Sequence, residues 1–245
     1  MNLLIEYFKS SNNQRDQEYL FCINQNINND SIKKIFVFIS DNSEFILKSD
    51  KIEIVKLDNR PTFLDLFKFC NEKLNHEICI IANTDIFFDD TIKSLLNFNF
   101  ENIFLSLTRW DVFYINNQWS MKFYDNPWWD CYLQDGTKSV EESITTGQLS
   151  QDAWIFKSQV KLDERSNFLM GKPGCDNRIS QIMNENEYDV RNPSKQIIIK
   201  HLHQTNYRTY TNNDLILGPY LLIRPNDDLN ECSKTKVIPH FHMNK

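Results

Sequence analysis

Two oxygen-bearing side chains, Asn83 and Asp85, stand two positions apart at the end of a continuous apolar run, Ile78-Cys79-Ile80-Ile81-Ala82. Oxygen donors at i and i+2 can approach one hard divalent cation, and such a cation can hold a diphosphate that carboxylates alone would repel. An apolar run of this length reads as a buried strand of an α/β sheet, and such sheets bind ligands beyond the carboxyl ends of their strands. Asn-Thr-Asp also reads as a plain strand-ending turn, because all three residue types bond readily to local backbone.

Three further groups extend this chemistry. Gly171-Lys172-Pro173-Gly174-Cys175-Asp176-Asn177 is a tight Gly/Pro loop that delivers a carboxylate at the start of a helix. Asp176 held there could accept a proton from a substrate hydroxyl, whereas its ordinary role, shared with Asn177, would be to cap the helix. His201-Leu202-His203 ends the run Ile197-Ile198-Ile199-Lys200. Strand alternation places both histidines on one face, so either could complete a metal site with Asp85. His240 and His242 repeat the spacing and read as surface residues. The third group joins Arg109 and Asp111 to Asp152 and Trp154. Arginine pairs with phosphate or carboxylate, and aromatic rings with carboxylates suit the apolar faces and hydroxyl edges of sugars. Trp128-Trp129-Asp130 reads as packing or as the lining of an acceptor groove.

The elements that must position these groups alternate. Strands are expected at Leu3 to Phe8, Ile35 to Ile39, Ile52 to Val55, Ile78 to Asn83 and Asn102 to Leu107, with helices from Gln14 to Asn26 and Thr62 to Leu74. Asp89 or Asp90 is placed to cap a short helix through Leu96. From Arg109 to Gln148 no periodicity emerges, which suggests an insertion. A strand over Ala153 to Phe156, a helix over Asp176 to Asn184 and a strand over Gln196 to His203 follow. Asp227 to Lys245 reads as a loosely packed tail. Alternating strand and helix implies a mainly parallel central sheet flanked by helices, a Rossmann-type α/β fold. One domain spanning 1–245 is expected, and a resemblance to GT-A-type transferases, carried by Asn83-Thr84-Asp85 and the Gly171 to Asn177 loop, implies a nucleotide-binding half (1–108), an acceptor and catalytic half (109–210) and a C-terminal extension (211–245).

The chain has 245 residues with 41% hydrophobic and 13% aromatic content, enough for a proper core and incompatible with disorder. A net charge of -6 argues against a nonspecific nucleic-acid binder, which needs a dense cationic face. The first residues lack the pattern of a signal peptide, and no apolar run approaches the ~20 residues of a membrane span, so a soluble, cytoplasmic protein is expected. The six cysteines are scattered without a Cys-x-x-Cys pair, a pattern of reduced, buried thiols.

From about Leu3 to His203 the chain resembles small glycosyltransferases of the GT-A type. There a strand-end Asp-x-Asp holds a manganese or magnesium ion on a nucleotide-sugar diphosphate, and Asn83-Thr84-Asp85 is similar, with Asn in the first position. The resemblance implies Asp85 as metal ligand with His201 or His203, and Asn83 as an oxygen donor or ribose partner. The Gly171 to Asn177 loop is similar to that of inverting galactosyltransferases, which implies Asp176 as catalytic base. Tyr7 and Arg60 fall where such enzymes contact base or ribose. Arg109, Asp111, Asp152 and Trp154 would then contact donor or acceptor, which is a glycan or another hydroxyl compound. Two other readings remain. The asparagine at position 83 suits a carbohydrate- or nucleotide-binding module on a degenerate transferase fold. A metal-dependent nucleotidyltransferase uses similar carboxylates but needs a Gly-rich phosphate loop, which is missing between Leu3 and Lys34.

Overall fold

A computed structural model of the chain describes residues 1–115, 118–123, 150–205 and 207–239. The Trp128-Trp129-Asp130 cluster, His240, His242 and most of the suspected insertion lie outside the described residues.

The apolar runs form β1 (Asn2–Glu6), β2 (Lys34–Ile39), β3 (Ile52–Lys56) and β4 (Ile78–Ala82). With β6 (Ile103–Thr108), β9 (Gln151–Lys157) and β10 (Asp189–Arg191) they build a seven-stranded sheet in the order β10-β6-β9-β4-β1-β2-β3. Within it β9 runs antiparallel to both β4 and β6, and the other pairings are parallel. The continuous apolar character of β1, β2 and β4 follows from burial on both faces. The fold class is thus the expected one, an α/β GT-A-like sheet, mainly parallel and covered by helices.

Each helix carries its own start signal and apolar stripe. In α1 (Asn13–Ile27) the Asn12 side chain caps the Arg15 N–H, and residues 15, 19, 22, 23 and 26 make the buried face. In α2 (Phe63–Lys73) Thr62 and Asp65 form a reciprocal capping box, and Phe63, Leu66, Phe67 and Cys70 point inward. In α3 (Cys175–Glu185) Cys175, Ile179, Ile182 and Met183 do the same. One face of the sheet packs Leu3, Ile5 and Ile80 with Tyr19, Leu20 and Ile23 of α1. The other packs Leu4, Ile81, Phe104 and Phe156 with α2 and α3.

A second, four-stranded sheet was not foreseen. It has the order β5-β11-β7-β8, formed by β5 (Ile86–Phe88), β7 (Trp110–Ile115), β8 (Gln118–Lys122) and β11 (Ile199–Leu202). β5 is three residues long and β8 is exposed throughout, so neither leaves an apolar alternation to read. Asp89 caps the following segment as expected, but it winds as a 3-10 helix (Asp90–Asn97). The C-terminal segment is firmer than a loose tail. β12 (Tyr220–Ile223) is wholly buried and pairs antiparallel with β13 (Thr235–Ile238).

Two residues expected at the substrate are core residues instead. Trp154 is fully buried in β9 with its ring edge-on to Phe63 at 4.8 Å, two residues deeper in the sheet than Asp152. Tyr7 is 2% exposed, with its hydroxyl 3.1 Å from Asp16 and its ring against Phe45. Alternation along the chain sends its neighbour Glu6, the last residue of β1, to the other side. Trp154→Ala should therefore cost about 3–5 kcal/mol of stability in a denaturant titration. Trp154→Phe should cost far less, because Trp154 Nε1 has no hydrogen-bond partner among the described residues. Ligand affinity that fell with Trp154→Phe while stability held would contradict this placement.

Candidate functional site

The carboxyl ends of β1, β4 and β6 meet at one cavity of about 580 Å³, beside the place where strand order reverses around β1. Glu6 arrives at the end of β1, Asn83 to Asp85 after β4, and Arg109 after β6. β9 runs the other way, so its first residues, Gln151 and Asp152, reach the same rim. A register shift opposite Leu107 and Thr108 leaves Asp152 unmatched on β6, a bulge that turns its carboxylate toward Asn83 and Arg109.

Asn83-Thr84-Asp85 is a tight link between the two sheets. Its turn closes through Ile86 N–H to the Asn83 carbonyl at 3.1 Å, and the Thr84 hydroxyl donates to the Glu6 carbonyl. The turn reading is thus correct for the backbone, yet the side chains are engaged beyond it. Asn83 donates its amide to Asp152 at 2.8 Å. Asp85 receives Arg15, buried on α1, and His201 Nε2 at 3.1 Å. Burial alone would push the Asp85 carboxyl up, but His201 and Arg15 outweigh it and hold the group well below the usual carboxylate range.

Asp85, His201 and His203 each offer a ligand atom, and these atoms lie within 4.8 Å of one another. Two imidazole nitrogens and a carboxylate suit divalent transition-metal ions. Burial pushes the His203 ring down to about 3, with Arg15 and Arg208 adding to the effect, so this imidazole is neutral and able to ligate. Its Nε2 is buried without a hydrogen-bond partner among the described residues. In the network around the group, four carboxylates (Glu18, Asp85, Asp111, Asp152) face three guanidiniums, Arg15, Arg109 and Arg208, the last bonded to His203 Nδ1 at 2.9 Å. The donor types, two imidazoles and a carboxylate, fit a divalent metal ion.

The sugar-facing residues expected from sequence divide. Arg109 lines the cavity and bonds both oxygens of Asp152 at 3.1 Å and Asp111 at 3.2 Å. Asp152 lines it too, whereas Asp111 stands behind, 2.7 Å from His201 Nδ1. Arg60 lies in the wall but pairs with both oxygens of Glu6, at 2.6 and 2.8 Å.

Asp176 sits in the cavity wall, in the first turn of α3. Gly174 precedes that helix with a left-handed backbone (φ +76), and a Cβ there would meet Leu215 and Tyr220 at 3.1 Å. The Asp176 carboxylate does not cap its helix through the N-cap position. It accepts the Gln151 N–H at 3.0 Å and faces the cavity. Burial, with the charge of Asp152 assisting, pushes it up to about 6 against the helix N–H groups that favour the anion.

Arg15, Glu6, Lys172 and the stretch from Tyr207 to Tyr210 also line the cavity and were not anticipated. A signal existed for Arg15. It falls on the same helical stripe as Tyr19 and Ile23, and a cation on a buried stripe requires a buried anion. The guanidinium lies 4.6 Å from the Tyr19 ring centre.

No protein-family model matches the chain, and no curated protein matches it. Among solved structures, S. aureus TarS in complex with UDP-GlcNAc is similar over 86% of this chain and 61% of that one, at 12% identity and a TM-score of 0.51. The mannosyltransferase PcManGT from Pyrobaculum calidifontis, in complex with GDP-Man and Mn2+, is similar over 85% and 58%, at 11% identity and a TM-score of 0.47. A putative glucose-1-phosphate thymidylyltransferase from Bacillus anthracis is similar over 78% and 85%, at 9% identity and a TM-score of 0.45. The chain therefore spans about three-fifths of the two transferases' lengths, and the likeness is one of fold.

A carboxyl raised above its unfolded value stabilises the fold only while protonated, so the contribution of Asp176 is lost as pH rises from about 4 through about 6. Asp176→Asn is thus expected to raise the melting temperature at pH 7.5 and to change it little at pH 4. A pH-independent effect in thermal melts would contradict the burial of an ionised carboxylate here.

Proposed function

We propose that this chain is a metal-dependent, inverting glycosyltransferase that moves a sugar from a nucleotide-sugar donor to a hydroxyl of a glycan or similar acceptor. The observation that carries the reading is the pairing in one cavity of a metal-fitting group, Asp85 with His201 and His203, and a carboxyl raised to about 6, Asp176. The GT-A-like fold, shared with TarS and its UDP-GlcNAc complex, supports it as an analogy.

In this reading Asp85 and the two histidines would hold manganese or magnesium, and the ion would supply positive charge against the diphosphate of the donor. Arg109 and Asp152 hold donor or acceptor hydroxyls. The ionised Asp176 accepts the proton of the acceptor hydroxyl while that oxygen forms a bond to the anomeric carbon. The bond from that carbon to the phosphate oxygen breaks on the opposite face, and its electron pair leaves with the nucleoside diphosphate. Arg15 beside Asp85 and Arg208 beside His203, both in the cavity wall, add cationic charge on the leaving side.

A carboxyl near 6 makes a base that is mostly ionised at neutral pH yet close enough in basicity to take a proton in the transition state. Turnover is expected to rise through about pH 6 and then level off.

The reading is tested by thermal shift with UDP-, GDP-, dTDP- and CMP-sugars, each with and without manganese, followed by transfer assays on the donor that binds. Asp85→Ala should abolish the manganese-dependent shift. Asp176→Asn should keep that shift and lower turnover by about 10²–10⁴-fold. Near-normal transfer by Asp176→Asn would remove the base assignment. Donor binding without transfer to any acceptor would favour the binding module that Asn83 suggests.

A further inference from the structure

β5, β11 and β7 lie side by side, and their register sets His201 opposite Asp111 on one strand and opposite Ile86, the neighbour of Asp85, on the other. The imidazole is held at both nitrogens, with Nδ1 2.7 Å from an Asp111 oxygen and Nε2 3.1 Å from Asp85. The residue is 4% exposed, so solvent cannot replace either partner. Carboxylates only accept, so both ring N–H groups donate, Nδ1–H to Asp111 and Nε2–H to Asp85. The ring is then fixed in rotation, and Nε2 is the nitrogen presented toward Asp85.

We propose that Asp111 is a positioning residue: it orients His201 so that Nε2, rather than Nδ1, is offered to a divalent cation shared with Asp85. This rests on the metal-binding reading given above and assigns Asp111 a role other than substrate contact. A carboxylate behind a ligating histidine fixes its tautomer and raises its basicity. Asp111 also accepts Arg109 Nε at 3.2 Å, and Arg109 carries Asp152. One carboxylate thus sets both the metal-facing ring and the guanidinium beside the sugar-facing carboxylate.

The test is manganese binding to the full chain without donor, followed by electron paramagnetic resonance, with pulsed detection of imidazole nitrogen coupling. Wild type is expected to bind manganese with nitrogen coupling. Asp111→Ala should weaken affinity by about 10–100-fold and diminish that coupling. Asp111→Asn, which keeps an acceptor oxygen for Nδ1–H, should recover most of the affinity. In a His201→Ala background, adding Asp111→Ala should cost nothing more. Unchanged affinity and coupling in Asp111→Ala, or a further loss in the His201→Ala background, would overturn the proposal while leaving the metal site standing. Wild type that binds no manganese would overturn the metal reading and this proposal with it. If Asp111→Ala fails to fold, Asp111→Ser, whose hydroxyl is too short to reach Nδ1, is compared with Asp111→Asn on the same readouts, and equal affinities would overturn the proposal.

Discussion

An ionised Asp85 in the interior must be balanced by charge, and much of the architecture around the cavity answers that requirement. A carboxylate removed from water costs several kcal/mol unless it is paired and hydrogen-bonded. Asp85 meets this with Arg15 from α1 and His201 from β11. Each of those needs its own partner. Arg15 takes Glu18 at 2.8 Å, and His201 takes Asp111. Asp111 takes Arg109, Arg109 takes Asp152, and Asp152 returns to Asn83 two residues before the start of the chain of contacts. Breaking one link exposes the next, so the network holds α1, both sheets and the rim of the cavity in one arrangement.

That constraint explains why a second sheet exists beside the first. β5 continues from the Asn83-Thr84-Asp85 turn, and pairing with β11 brings His201 alongside Asp85. β7 pairs on the other side of β11 and brings Asp111. The Leu202 N–H donates to the Asp85 carbonyl at 3.0 Å, so backbone pairing and side-chain pairing enforce the same register. The wall at Asp176 is built differently. There α3 starts from a glycine that only a left-handed backbone satisfies, which lets its first turn approach Leu215 and Tyr220 closely and leaves Asp176 at the cavity. A polar network around Asp85 and a desolvated carboxyl that takes the Gln151 N–H beside Asp152 thus line the same cavity.

How much of this could be read beforehand depends on the range of the interactions involved. Six of the seven strands of the first sheet, with α1, α2 and α3, were legible because each carries an apolar run or stripe, aided in α1 and α2 by a side-chain cap, as in Thr62 with Asp65, whereas β10, three residues long, was not. Asp85 with His201 and His203 was legible as a donor set because its members end apolar runs in an α/β pattern. β5, β7 and β8 were not, being short or exposed and stabilised by partners distant in sequence.

The amino-acid order by itself determined the alternation of strand and helix, the layered α/β class and the presence of carboxylates and histidines at strand ends, since these depend on period and residue type alone. The tertiary structure decided which side chains meet. Glu6 rather than Tyr7 faces the cavity, Trp154 fills the core below Asp152, and Asp111 backs a histidine instead of a ligand. Such outcomes turn on which strands pair and in what register, and a shift of one residue exchanges the two faces of a strand. No local pattern carries that information, because it is set by contacts between segments tens of residues apart.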